Sequence, residues 1–154
     1  MQGSAETSGT EEITDQGDEP VVDRSAGEGI RVMVVDDSKT IRRTAETLLR
    51  KAGFDVITAM DGFEALGKVA DYQPNLIFLD IMMPRLDGYQ TCALIKRHRV
   101  FRDTPVVMLS SKDSLFDRAR GRVVGSDNYI TKPFTREELL AAIEQYGRQS
   151  LGCG

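Results

Sequence analysis

Three carboxylates, a hydroxyl and an ammonium stand in this 154-residue chain at positions from which they could act together. Asp36 and Asp37 end the apolar run that starts at Ile30, Asp80 ends Leu76–Leu79, Ser110 follows Val106–Leu109, and Lys132 follows Tyr129–Thr131. If those runs are parallel strands, all of these side chains lie at one edge of a sheet. Carboxylates gathered there repel one another and hold their protons more tightly unless they share a cation. Oxygen donors without a nearby imidazole or thiolate suit Mg²⁺, which keeps several waters and binds through one or two carboxylates plus phosphate oxygen. A carboxylate beside such an ion can also attack phosphorus, and Asp80 is the best placed to do so. Lys132 and the Ser110 hydroxyl would share the charge on the phosphoryl oxygens. A lysine at about 4 Å supplies a gross Coulomb term of roughly 4 kcal/mol per charge pair at an effective dielectric of 20. Pro133 biases Lys132 toward extended backbone, which aims the ammonium into the crevice instead of continuing a helix.

The elements that must position these groups are legible in the hydrophobic pattern. Ile30–Val35, Val56–Ala59, Leu76–Leu79, Val106–Leu109 and Tyr129–Thr131 are short and apolar at successive positions, as strands covered on both faces are. Helical spacing separates them: Ile41, Ala45, Leu48, Leu49 and Ala52; Leu66, Val69 and Ala70; Cys92 and Ile95; Phe116, Ala119 and Val123; Leu139, Ile143 and Tyr146. Thr135 and Glu138 have capping-box spacing ahead of the fifth stripe, and Gly53 is placed to stop the first. Five β-α units with right-handed crossovers predict an α/β fold, a doubly wound five-stranded parallel sheet with five helices. Its crevice lies beyond the C-terminal ends of the strands.

Four blocks in this order resemble the CheY-like receiver domain of two-component response regulators: Val34-Val35-Asp36-Asp37-Ser38, Asp80-Ile81-Met82-Met83-Pro84 through Asp87-Gly88, Leu109-Ser110-Ser111, and Tyr129-Ile130-Thr131-Lys132-Pro133-Phe134. The resemblance implies the strand order 2-1-3-4-5. It makes Asp80 the phosphoacceptor and gives Mg²⁺ to Asp36, Asp37, Asp80 and the backbone carbonyl of Met82. It further implies that Lys132 contacts the phosphoryl group, that Ser110 is the switch hydroxyl and that Tyr129 is its aromatic partner. Such a domain catalyses only its own phosphorylation and its own dephosphorylation. Met82 and Lys112 are expected to flank the approach of the hydrolytic water. Longer stretches, Asp36 to Leu49, Met82 to Lys96 and Leu109 to Asp113, are similar to the receivers that govern twitching motility through type IV pili. That implies a CheA-type histidine kinase as phosphodonor and a downstream pilus-control protein docking on the face formed by the fourth helix, fifth strand and fifth helix. Arg118, Arg120 and Arg122 give that face a basic cast.

Composition narrows the alternatives. Net charge is -4, but residues 1–28 carry eight acidic residues and one basic residue, so the remainder is positive by 3. Residues 1–28 are expected to be an acidic disordered tail, because they bury too little apolar surface to offset the entropy of ordering. A receiver domain is expected over 29–148 and a short C-terminal tail over 149–154. Nucleic-acid binding is not expected from the overall charge, and too few residues follow Ile143 for a helix-turn-helix domain. No run reaches the ~20 apolar residues of a membrane span, and no signal peptide is visible, so a cytoplasmic protein without membrane insertion is expected. Cys92 and Cys153 have no metal or disulfide spacing. A phosphohydrolase using an aspartyl-phosphate would need a second acid two residues after the nucleophile, where this chain has Met82. A receiver-shaped binding module that never turns over phosphate would be expected to have lost the acidic pair or the lysine.

Overall fold

Each apolar run becomes a strand, and each helical stripe becomes a helix, in strict alternation. The computed structural model describes residues 29–111 and 115–147. The strands are β1 (Arg31–Val35), β2 (Asp55–Ala59), β3 (Leu76–Asp80), β4 (Val106–Ser110) and β5 (Asn128–Thr131). The helices are α1 (Lys39–Lys51), α2 (Gly62–Tyr72), α3 (Gly88–Arg97), α4 (Leu115–Val123) and α5 (Arg136–Ala142), the last continuing through a π-helical turn, Ile143–Gly147. All pairings are parallel and the order is β2-β1-β3-β4-β5. The expected doubly wound sheet and its strand order are therefore both present. The expected acidic tail, the C-terminal residues 149–154, Lys112 and Cys153 lie outside the described residues.

Alternate strand residues face opposite layers, as the two-residue period of a strand requires. Met33 and Val35 of β1 join Ile77, Leu79 and Met108 beneath Ala65, Val69, Cys92 and Ile95 of α2 and α3. Val32 and Val34 join Phe78, Val107 and Leu109 on the other face, beneath Ala45 and Leu49 of α1 and Leu139 and Ile143 at the end of the chain. With both faces covered, β3 and β4 are buried along their whole length. Two polar side chains, Asp80 and Ser110, are consequently drawn into the sheet as the last residues of their strands instead of following them.

Helix ends are set locally. Ser38 caps α1 by accepting from the Ile41 N–H, and Asp61 caps α2 by accepting from Glu64. Capping boxes open α3 (Asp87 with Gln90) and α5 (Thr135 with Glu138). Gly53, at φ 97°, stops the chain after α1.

The fourth stripe corrects the sequence expectation. Phe116, Ala119 and Val123 were expected to face the core, yet Phe116 is 74% and Val123 85% exposed, and Ala119 is exposed as well. The face of α4 turned to the sheet instead carries Gly121, where an added Cβ would meet Ser126 and the Met108 side chain. Val124, just beyond the helix, packs on the same cluster. A glycine carries no apolar periodicity, so the helical stripe in the sequence pointed to the wrong side. Among the described residues, no helix is long and apolar enough to cross a membrane.

Candidate functional site

Strand register brings the predicted residues to one edge. Val35 aligns with both Ala59 and Leu79, Asp80 with Leu109, and Ser110 with Thr131. Asp36 and Lys132 each lie one residue beyond those ends. The chain is held there by main-chain bonds from the Asp36 N–H to the Ala59 carbonyl (3.1 Å) and from the Lys132 N–H to the Ser110 carbonyl (2.6 Å). The Lys132–Pro133 peptide bond is cis.

The carboxylates of Asp36, Asp37 and Asp80 each offer an oxygen within 4.8 Å of the others. Asp36 and Asp80 are buried, and Asp37 is exposed at the mouth. Lys132 Nζ donates to Asp36 Oδ2 at 3.1 Å and to Asp80 Oδ1 at 3.0 Å. The remaining contacts fix orientation. Asp36 Oδ1 accepts from the Ser38 N–H at 2.9 Å, the Arg42 guanidinium donates to the Asp36 carbonyl at 2.7 Å, and the Met82 N–H donates to Asp80 Oδ1 at 3.3 Å. Burial, and then the neighbouring charge of Asp36, push the Asp80 carboxyl up to about 6 against the pull of Lys132. For Lys132, burial acts to lower the pKa, but its contacts with Asp80 and Asp36 outweigh that and leave it raised.

One ammonium against three carboxylates leaves an excess of negative charge in a cramped space. The donor set is all oxygen, with no thiolate or imidazole, and it fits a hard divalent cation such as Mg²⁺.

Ser110 lies 3% exposed at the wall of an open cavity of about 490 Å³ that also touches Met82, Met83, Tyr89, Asp117 and Arg120. Tyr129 is buried on β5, and the Arg118 guanidinium lies 4.7 Å from the centre of its ring. Tyr89 was not singled out in the sequence. Its hydroxyl donates to Asp117 at 3.3 Å (carbonyl) and 3.4 Å (Oδ1), and Arg120 stacks at 4.3 Å over its ring, so α3 and α4 are joined beside Ser110. Arginines spaced for a basic outer surface thus spend two of their number on aromatic rings. His98 is exposed at the end of α3, its Nδ1 accepting from the Val100 N–H.

Residues 32–144 match the response regulator receiver domain family. The chain belongs to that family. This receiver is 71% identical over 119 residues to Protein PilG of Pseudomonas aeruginosa, a match covering 77% of this chain and 88% of that protein. It is 40% identical over 120 residues to the alkaline phosphatase synthesis transcriptional regulatory protein PhoP of Bacillus subtilis, of whose length the match covers 49%. Among solved structures, the receiver resembles chemotaxis protein CheY4 of Vibrio cholerae with a TM-score of 0.74 and 32% identity, over 76% of this chain and 98% of that one. The receiver is therefore a CheY-like signalling module of the two-component type, similar to PilG.

Proposed function

We propose that this receiver acts as a response regulator that accepts a phosphoryl group on Asp80 from the phosphohistidine of a CheA-type histidine kinase. Residues 29–148 would be the receiver, 1–28 an acidic arm and 149–154 a short tail. The reading is carried by one observation: Lys132 bridges two buried carboxylates, with a third within reach, at the C-terminal edge of the sheet. In the reaction an Asp80 carboxylate oxygen attacks phosphorus while the phosphorus–nitrogen bond of the donor breaks, and its electron pair returns to the imidazole. Lys132 already touches Asp80 Oδ1 and stands where charge accumulates on the phosphoryl oxygens. Ser110 would donate its hydroxyl to one of those oxygens. Asp36, Asp37, Asp80 and the Met82 carbonyl would hold Mg²⁺, whose part is to neutralise carboxylate and phosphoryl oxygens together.

Movement of Ser110 toward the phosphoryl group would favour one setting of Tyr129 and alter the face built from α4, β5 and α5. A downstream protein would read that face. Similarity to PilG supports twitching motility and type IV pili as the controlled process; the cytoplasm is the proposed place of action. Nucleic acid and membrane insertion have no part in the proposal.

Intact mass after incubation with acetyl phosphate tests it. One added phosphoryl group is expected with Mg²⁺, none with EDTA, and none for Asp80→Asn. A folded wild type that takes up neither phosphoryl group nor beryllofluoride would instead indicate a binding module independent of phosphorylation.

A further inference from the structure

Arg85 lies in the left-handed backbone region, at φ 68°, where residues bearing a Cβ are uncommon. Its side chain reaches out of the β3–α3 turn to the start of α2. Nη2 is 2.7 Å from Asp61 Oδ2, and Cζ lies 5.4 Å from the centre of the Phe63 ring. Asp61 is itself fixed, because its other oxygen caps α2 through the Glu64 N–H at 2.7 Å. That bond and the Arg85 guanidinium hold its carboxyl below the usual carboxylate range, against the effect of burial. The same two segments also meet by packing, since a Cβ on Gly62 would strike Thr91 Oγ1 and the Leu86 side chain. Charge and shape therefore join 61–63 to 85–91.

The turn so held is the one that carries Met82. It leaves Asp80 with the Met82 N–H bonded to Asp80 Oδ1, and it returns with the Gly88 N–H bonded to the Ile81 carbonyl at 2.9 Å. Between those points Leu86 packs at Gly62 and Met83 is buried in the core, while Arg85 supplies a charged hydrogen bond from the turn to the cap of α2. The Arg85 side chain is 63% exposed, so solvent screens the ion pair and its worth to folding is small. Its worth to placement is different, because a site tolerates errors of only about half an ångström in its supporting groups.

We propose that Arg85 is a positioning residue: by clasping Asp61 and Phe63 it holds the β3–α3 turn, and with it the Met82 main chain, in the shape that a divalent-cation site beside Asp80 requires. The inference rests on the Mg²⁺ site proposed above. It assigns Arg85 and Asp61 no contact with the phosphoryl group.

Three full-length variants test it by Mg²⁺ titration calorimetry, by thermal melting in EDTA and by hydrogen exchange of amides 81–87 in EDTA. Arg85→Gly removes the clasp while accepting the backbone angle without strain. Asp61→Asn removes the charge and keeps a side chain that caps helices equally well. Arg85→Lys keeps the charge. We expect Arg85→Gly and Asp61→Asn to bind Mg²⁺ about tenfold more weakly, at the lower end of the range for outer-shell supports. Their melting midpoints should stay within about 3 °C of the wild type. Their 81–87 amides should exchange faster, and Arg85→Lys should recover part of both effects. Wild-type affinity in Arg85→Gly and Asp61→Asn overturns the clasp alone, as does a weakening that merely follows a fallen melting midpoint. A wild type that binds no Mg²⁺ overturns the underlying site and the clasp with it.

Discussion

The ammonium of Lys132 stands 3.0 Å from Oδ1 of Asp80, a contact that spans 52 residues of sequence and joins the ends of β5 and β3. The same nitrogen serves Asp36, so it separates two buried carboxylates that would otherwise face each other without a counter-charge.

Replacing Lys132 by alanine should therefore destabilise the metal-free protein. Removing one partner of a fully buried pair costs about 3–5 kcal/mol, and the partial exposure of Lys132 reduces that to about 2 kcal/mol. Mg²⁺ can supply the missing positive charge. Urea melts in EDTA and in millimolar Mg²⁺ should show a larger Mg²⁺-induced gain for Lys132→Ala than for the wild type. Equal gains would mean that the ammonium and the cation do not compensate the same charges.

Two glycines should respond in opposite directions to alanine. At Gly88 a Cβ would run into the Asp80 carbonyl and the Ile81 Cα, both main chain at the floor of the site and unable to step aside. We expect Gly88→Ala to lose about 3 kcal/mol, the upper part of the overpacking range. At exposed Gly67, in the middle of α2, nothing lies within 4 Å of the added carbon. Gly67→Ala should gain up to about 1 kcal/mol from helix propensity. Chemical denaturation of both variants reads the contrast directly.

The sheet was legible because parallel strands covered on both faces leave unbroken apolar runs, and the site was legible because its polar residues interrupt those runs at matching places. Asp80 and Lys132 stand out against Leu76–Leu79 and Tyr129–Thr131 for that reason. The orientation of α4 was not legible. Its sheet-facing contact is Gly121, which leaves no mark in a hydrophobic pattern, while Phe116 and Val123 mimic a core stripe from the solvent side. Arg85 and Asp61 were equally silent: 24 residues separate them, and only the close approach of α2 to the β3–α3 turn makes them partners. Tyr89 offered the one available signal, an aromatic residue immediately after the glycine that opens α3.

Cys92 should resist thiol reagents. It is fully buried, its sulfur lies 3.6 Å from the Val124 carbonyl, and burial pushes its thiol up to about 12. At pH 8 the folded protein should show essentially no alkylation of Cys92 by iodoacetamide, and denaturant should expose it; peptide mapping distinguishes the two states. The sign of the linked stability follows from the same shift. The unfolded chain ionises this thiol near pH 9 and the folded chain only near 12, so the contribution is complete below pH 9 and falls away between the two values. Cys92→Ala should flatten that part of the stability–pH curve. A slope unchanged by the substitution would assign the alkaline loss to other groups, of which Tyr89, also pushed up to about 12, is the first to examine.

Ser110→Ala separates phosphorylation from its consequence. The hydroxyl ends β4 beside the cavity shared with Tyr89, and its neighbour in register on β5 is Thr131, two residues from Tyr129. Loss of one hydroxyl from a buried strand end that keeps all its main-chain bonds should cost no more than about 1.5 kcal/mol. The variant should still gain a phosphoryl group from acetyl phosphate, but more slowly, because one donor to the developing charge is gone while Lys132 remains. What it should lack is the response that follows. Phosphorylation or beryllofluoride should change near-ultraviolet circular dichroism from tyrosine in the wild type and leave Ser110→Ala nearly unchanged; the chain has no tryptophan to mask the signal. Tyr129→Ala identifies the chromophore. If Ser110→Ala carries the phosphoryl group and shows the full wild-type spectral change, the hydroxyl does not link Asp80 to Tyr129, and the Tyr89–Asp117 bond between α3 and α4 becomes the route to examine.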